Sequence, residues 1–183
     1  MKVYVIGGKA KTGKNTFGEY LREELKKYGY KPCILHITEP LYSYARNYFD
    51  WNGNENDKPR EFLQKMGIEI IRDKMDKKDF LLNRLFEDIE ILSNFFDTFI
   101  IVDARLIREF EIIKEKYDDV VTIKINRKMN QSALSIDEQN HITELEVDLY
   151  KDYDYIIENH AIEDLKKASV EIIRNEEDGD LVE

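Results

Sequence analysis

Lys2-Val3-Tyr4-Val5-Ile6-Gly7-Gly8-Lys9-Ala10-Lys11-Thr12-Gly13-Lys14-Asn15-Thr16 is the stretch whose reading decides the fold. Its first six residues have the length and β-branched content of a buried strand. Directly after it, Phe17, Leu21, Leu25 and Tyr28 recur at spacings of three and four, the apolar face of a helix. Strand, glycine-bounded loop and helix in that order are the context of a phosphate-binding loop. Gly8 and Gly13 let the backbone turn tightly and bring its N–H groups up to phosphate oxygens. The helix points its positive N-terminal end at the same place. Lys14 adds a full charge where β- and γ-phosphates would lie, and Lys9 and Lys11 make the loop a local basic spot. In the commonest form of this loop a hydroxyl that binds magnesium follows the lysine directly. Here Asn15 follows, and the hydroxyl comes one residue later at Thr16.

The rest of the chain is acidic. Its 183 residues carry a formal net charge of −10, and the pI is about 5.0. Such a surface repels nucleic-acid backbones and anionic membranes, so a small phosphorylated ligand is the better match for the basic spot. Cys33 is the single cysteine, which excludes an intrachain disulfide; its apolar surroundings mark it as a small core residue. His36, His141 and His160 have no zinc-ligand spacing. No apolar run reaches membrane-spanning length, and the expectation is a soluble cytoplasmic protein. The length suits one α/β domain over 1–175, followed by an acidic tail over 176–183 that is expected to fray.

Along the chain, strands are expected at Pro32–Ile37, Phe99–Asp103, Val120–Ile125 and Tyr153–Ile157. Helices are expected after Thr38-Glu39-Pro40, over Arg60–Met75, through the stripe Leu82, Leu85, Phe86, Ile89, Leu92 and Phe96, over Leu106–Tyr117, and after His160. The alternation predicts a three-layer α/β/α fold on a mostly parallel five-stranded sheet. Residues 39–97 hold more helix than a crossover needs and suit a substrate-holding layer. On one of those helices Gln64 and Arg72 stand eight residues, about 12 Å, apart. The loop Asp50–Pro59 contains Trp51, read as a packing anchor. The run Phe99-Ile100-Ile101-Val102-Asp103-Ala104-Arg105 ends at the sheet edge where ligands gather. Asp103 is either a magnesium ligand, direct or through water, or a cap for the next helix. Arg105 is either a bidentate phosphate grip or a surface pair. Residues 126–150, with Arg127, Lys128, His141 and Glu144, form either a mobile lid or an ordinary surface excursion.

Several segments together resemble the bacteriophage-type deoxynucleoside monophosphate kinases. These are the loop Gly8–Thr16, the helix Arg60-Glu61-Phe62-Leu63-Gln64-Lys65-Met66-Gly67, the strand end Asp103-Ala104-Arg105, His141-Ile142-Thr143-Glu144, and Asp154-Tyr155-Ile156-Ile157-Glu158-Asn159. Animal phosphomevalonate kinases share the loop, the Asp-x-Arg and a version of Tyr153–His160. The resemblance implies a P-loop kinase fold and transfer of the ATP γ-phosphoryl group to a (deoxy)nucleoside monophosphate, with ATP and Mg2+ as cofactors. It implies that Gly8, Lys11, Gly13, Lys14, Asn15, Thr16 and Asn159 border the nucleotide. Thr16 and Asp103 would serve the metal, Gln64, Arg72 and Arg105 the acceptor, and Arg127 would reach in from the lid. Lys14, Asp103, Arg105 and Arg127 would form the catalytic set. The relatives commonly have Asp where this chain has Asn15, so the metal arrangement or the rate can differ. Phosphomevalonate kinases carry a basic residue at the position of Ala10.

Phosphoryl transfer needs positioning and charge neutralisation more than covalent chemistry. An acceptor phosphate is already anionic, so no strong base is required. A kinase of another phosphorylated metabolite and a catalytically weak nucleotide-binding switch are the alternatives. No nucleic-acid or membrane partner is expected, and a homodimer is left open.

Overall fold

The structure is a computed structural model and describes residues 1–54, 57–127 and 142–180. By contact it divides into two compact units, Met1–Leu35 with Ser93–Glu183, and His36–Leu92.

The first unit is built on five strands: β1 (Lys2–Gly7), β2 (Pro32–Leu35), β3 (Thr98–Ala104), β4 (Val120–Asn126) and β5 (Tyr155–Glu158). They lie in the order β2-β3-β1-β4-β5, and every pairing is parallel. Helices cover both faces, which is why β1 and β3 read as continuous apolar runs. On one face, Tyr4, Ile6, Ile100, Val102, Ile123 and Ile125 pack with Phe17, Leu21 and Leu25 of α1 (Lys14–Lys27). The same core takes in Leu165, Ile172 and Ile173 of the last helix, Ile162–Asp180. The intervening strand residues Val3, Val5, Phe99 and Ile101 are fully buried on the opposite side. There Ile107–Lys116 forms a helix against β4. Another, Ile142–Leu149, packs beside it. The expected three-layer α/β/α architecture is present, with the sheet parallel throughout.

The frayed acidic tail does not start at Glu176. The last helix runs to Asp180 because its end is tied to the sheet. Glu176 pairs with the buried Lys2 amine at 3.0 Å and accepts the Tyr155 hydroxyl at 2.7 Å. Glu177 accepts the Tyr30 hydroxyl at 2.7 Å. Acidic composition suggested fraying, but these partners come from strands and loops far away in sequence.

The second unit holds α2 (Glu39–Tyr48), α3 (Arg60–Gln64) and α4 (Phe80–Leu92). Pro40 sits in the first turn of α2, as the Glu39-Pro40 pair predicts. Leu41, Ala45, Leu63 and Ile71 form its buried cluster, with Trp51 packed against it. Trp51 is the anchor expected, its ring 5.8 Å from that of Tyr42 and its indole N–H donating to the Asn54 carbonyl. Two features depart from the sequence reading. The helix stripe ends at Leu92, so Phe96 lies beyond it. And α3 continues through Lys65–Lys74 as a π-helix, closed by the Met75 N–H on the Ile70 carbonyl at 2.9 Å. The wider winding turns the chain less per residue, so the α-helical spacing assumed between Gln64 and Arg72 does not hold. Three- and four-residue spacing of apolar residues cannot distinguish the two windings.

Candidate active site

In the parallel sheet of the first unit, β1 lies between β3 and β4, so the chain crosses from one side of β1 to the other after β3. Ligand crevices form at the carboxyl edge of such a crossing. The register aligns Gly7 with Ala104 and with Lys124, and Asn126 with Glu158. The glycine loop, the Asp103–Arg105 turn, the strand end before Arg127 and the Asn159 loop therefore share one edge.

The loop itself is tightly specified. Gly8 has φ 149°, and a Cβ there would lie 2.6 Å from the Ile125 carbonyl oxygen. Gly13 caps α1 in the left-handed region (φ 104°, ψ 15°), where a Cβ would meet Asn159 Nδ2 at 2.8 Å. Lys11 also has positive φ (59°), an uncommon geometry for a residue with a side chain. No side chain caps the α1 N-terminus. The Lys14 amine, almost fully buried, donates to the carbonyls of Gly8 and Lys9, both at 2.7 Å. The Thr12 hydroxyl donates to the same Lys9 carbonyl at 2.9 Å. In a trans peptide the carbonyl and the following N–H point in opposite directions. The two bonds to Lys14 fix the peptide planes after Gly8 and Lys9, and so the directions of the next two amides.

Asn15 and Thr16 are exposed in the first turn of α1. Asp103 is partly buried at the end of β3, and Arg105 follows it in the turn before α5 (Ile107–Lys116). That turn is held by Glu109, whose carboxylate accepts the N–H groups of Arg105 (2.7 Å) and Leu106 (2.9 Å). Burial pushes the Glu109 carboxyl up to about 7, reinforced by the charge of Asp103, although the two amide bonds pull the other way. Glu146, on α6 (Ile142–Leu149), accepts the Ile107 N–H at 3.0 Å. Arg127 is exposed just past β4.

Helix α6 is also joined to the loop. Asp148 pairs with Lys9 at 2.7 Å and with Lys124 at 2.8 Å. Burial alone would raise the Asp148 carboxyl, but the two lysines outweigh it and hold it below the usual range. Beneath them Phe110 stacks on Tyr150 (4.5 Å), and Tyr153 meets both rings edge-on. A Cβ on Gly7 would strike Phe110 Cζ at 2.6 Å, so the strand end packs directly on this aromatic group.

Asn159, nearly fully buried, donates its side-chain amide to the Thr12 carbonyl at 2.7 Å. Its backbone N–H donates to the Asn126 carbonyl at 2.8 Å. The Cys33 thiol is partly buried, and desolvation raises it, consistent with a packing residue. Gln64 and Arg72 belong to the second unit, where both are partly buried, and Arg72 Nη1 is a buried donor with no hydrogen-bond partner among the described residues. Of the expected lid over 126–150, Lys128 and His141 lie outside the described residues, as does the Glu144 side chain. Among the described residues no three His, Cys, Asp or Glu side chains gather as a metal site, and no helix is long and apolar enough to cross a membrane. Glu109, Glu146 and Asp148 went unread in the sequence, since only the folded chain brings them to the loop and the Arg105 turn.

No family model and no curated protein matches the sequence. Solved structures do match. The chain is similar to a mutant APS kinase of Mycobacterium tuberculosis, with TM-score 0.54 and 10% identity over 94% of this chain and 96% of that one. A sugar kinase from a Janibacter species aligns with TM-score 0.55 and 14% identity, covering 93% and 92%. Shikimate kinase of Aquifex aeolicus aligns with TM-score 0.53 and 17% identity, covering 99% of each. At such identities the likeness is one of fold. The fold is that of the P-loop kinases.

Proposed function

We propose that the protein is a small-molecule kinase that transfers the γ-phosphoryl group of ATP to a (deoxy)nucleoside monophosphate. One observation carries the reading: the buried Lys14 amine is drawn onto the Gly8 and Lys9 carbonyls at the uncapped N-terminus of α1. That is a preformed seat for a polyphosphate, with the cation beside the bridging oxygens. The loop amides and Lys14 would bind the triphosphate, with Lys11, Asn15 and Thr16 at its border.

The residues present also fit magnesium. It is held by one or two oxygen side chains together with phosphates, and Thr16 and Asp103 are the side chains for that role. Bound there, the ion would neutralise charge on the phosphate oxygens. Arg105, kept in its turn by Glu109, would grip the acceptor phosphate, and Arg127 would add charge from the strand end. Gln64 and Arg72 would serve the acceptor from the helical region 39–97.

The neighbours in fold include an APS kinase, a shikimate kinase and a sugar kinase, which supports phosphoryl transfer to a small acceptor and keeps the range of acceptors wide. ADP release is to be measured over the (deoxy)nucleoside monophosphates, phosphomevalonate, shikimate and gluconate. Turnover with a nucleoside monophosphate alone is the expected result. Turnover only with another metabolite would replace the acceptor class, and ATP binding without turnover on any acceptor would favour a nucleotide-binding switch.

A further inference from the structure

We propose that Asn159 is a positioning residue that holds the phosphate-binding loop in shape through its side chain while its backbone is bonded to the end of β4, directly before Arg127. The inference rests on the nucleotide-binding reading above but assigns Asn159 a different task from bordering the nucleotide.

The geometry is that of a two-way clamp. The Asn159 side chain donates to the Thr12 carbonyl at 2.7 Å, in a bond that is buried and spans 147 positions of sequence. Its backbone N–H donates to the Asn126 carbonyl at 2.8 Å, and Asn126 in turn donates its side chain to Glu158 at 2.7 Å. One residue thus joins the loop to the last residue of β4, directly before Arg127.

The side-chain bond acts at the peptide that matters most. Holding the Thr12 carbonyl fixes the plane of the Thr12–Gly13 peptide, and with it the direction of the Gly13 N–H. Gly13 is left no room for a side chain by its surroundings. Its left-handed conformation is packed against Asn159 Nδ2 and, at 2.9 Å from where a Cβ would stand, against Leu165 of α7 (Ile162–Asp180). With 4% of its surface exposed, Asn159 offers little to a base, whereas its side-chain amide is already bonded to the loop.

Asn159→Asp keeps the shape, removes the N–H donor and sets an oxygen against the Thr12 carbonyl oxygen. The experiment titrates wild type and Asn159→Asp with two probes, ATP and inorganic tripolyphosphate. Hydrogen exchange of the loop amides is followed in both proteins without ligand. The expected result is a loss of about ten-fold in affinity for both probes by a common factor, the size of an unsatisfied buried hydrogen bond. Faster exchange confined to residues 9–14 is expected with it. Loss of ATP affinity with unchanged tripolyphosphate affinity would overturn the proposal in favour of a base contact, and so would unchanged loop exchange.

Asn159→Ser, which keeps a shorter donor, is the second variant, expected to fall between the two if the Asp form proves poorly folded by circular dichroism. A Ser form as weak as Asn159→Ala on both probes would overturn the proposal. Should wild type bind neither probe, the nucleotide reading fails on its own, while the exchange data still decide whether Asn159 holds the loop.

Discussion

The glycine loop of the first unit and the α3 region of the second are both expected to grip phosphates, yet they are built in opposite ways. The loop is closed by long-range bonds: Asn159 to Thr12, Asp148 to Lys9, and Phe110 beneath Gly7. Residues 36–92 are held by local packing of Leu41, Ala45, Leu63 and Ile71. Within them a π-helix replaces part of an α-helix, and a buried donor of Arg72 has no hydrogen-bond partner among the described residues. Both features cost free energy, and π-helical turns are frequent at functional sites. Under the proposed function the loop would be the donor end, fixed in advance as electrostatic stabilisation of a transition state requires, and the Arg72 donor would be open to the acceptor.

The comparison breaks first at Lys14. Lys14→Ala is expected to lower kcat by about 10²–10³, roughly 2.7–4 kcal/mol, the effect of losing one preorganised charge. Wild-type turnover in an ADP-release assay would remove Lys14 from the chemistry.

Next in size is Gly13→Ala, which forces a Cβ into the left-handed region and against Asn159 and Leu165. Urea unfolding should show a loss of roughly 1–3 kcal/mol, together with weaker ATP binding. Unchanged stability would mean that the loop is not fixed in advance.

On the other side of the comparison, Arg72→Ala should raise the acceptor KM about ten-fold while kcat stays near wild type, as for loss of one charged hydrogen bond. An unaltered KM would exclude Arg72 from the acceptor site.

The last effect concerns Glu109 and leaves turnover aside, since it is read in stability against pH. Its carboxyl is raised from 4.5 to about 7 in the folded protein, so between these values the folded state holds more protons than the unfolded one. Stability therefore falls as pH rises through that window and levels off above it. Glu109→Gln, which retains an acceptor for the Arg105 and Leu106 amides, should remove that slope, which is at most about 1.4 kcal/mol per pH unit inside the window. A thermal-melt series from pH 4.5 to 7.5 that is identical in the two proteins would remove Glu109 as the source.

Much of this molecule is legible without coordinates, and the reason is locality. The β1–loop–α1 unit is contiguous, and glycine spacing, strand composition and helical periodicity all point the same way there. The apolar run ending in Asp103 and Arg105 carries its own statement of depth and edge. Even the Pro40 helix start was visible, because capping chemistry acts over a few residues.

What only the tertiary structure decided are pairings between distant residues and changes of winding that leave no periodic trace. Glu176 looks like a tail residue until Lys2 and Tyr155 are found beside it. Asn159 looks like a loop residue until Thr12 arrives from the other end of the chain. Residue type and spacing report local backbone preference; which buried amide meets which carbonyl is settled by the packing of sheet and helices, since desolvated polar groups must find partners wherever the fold brings them.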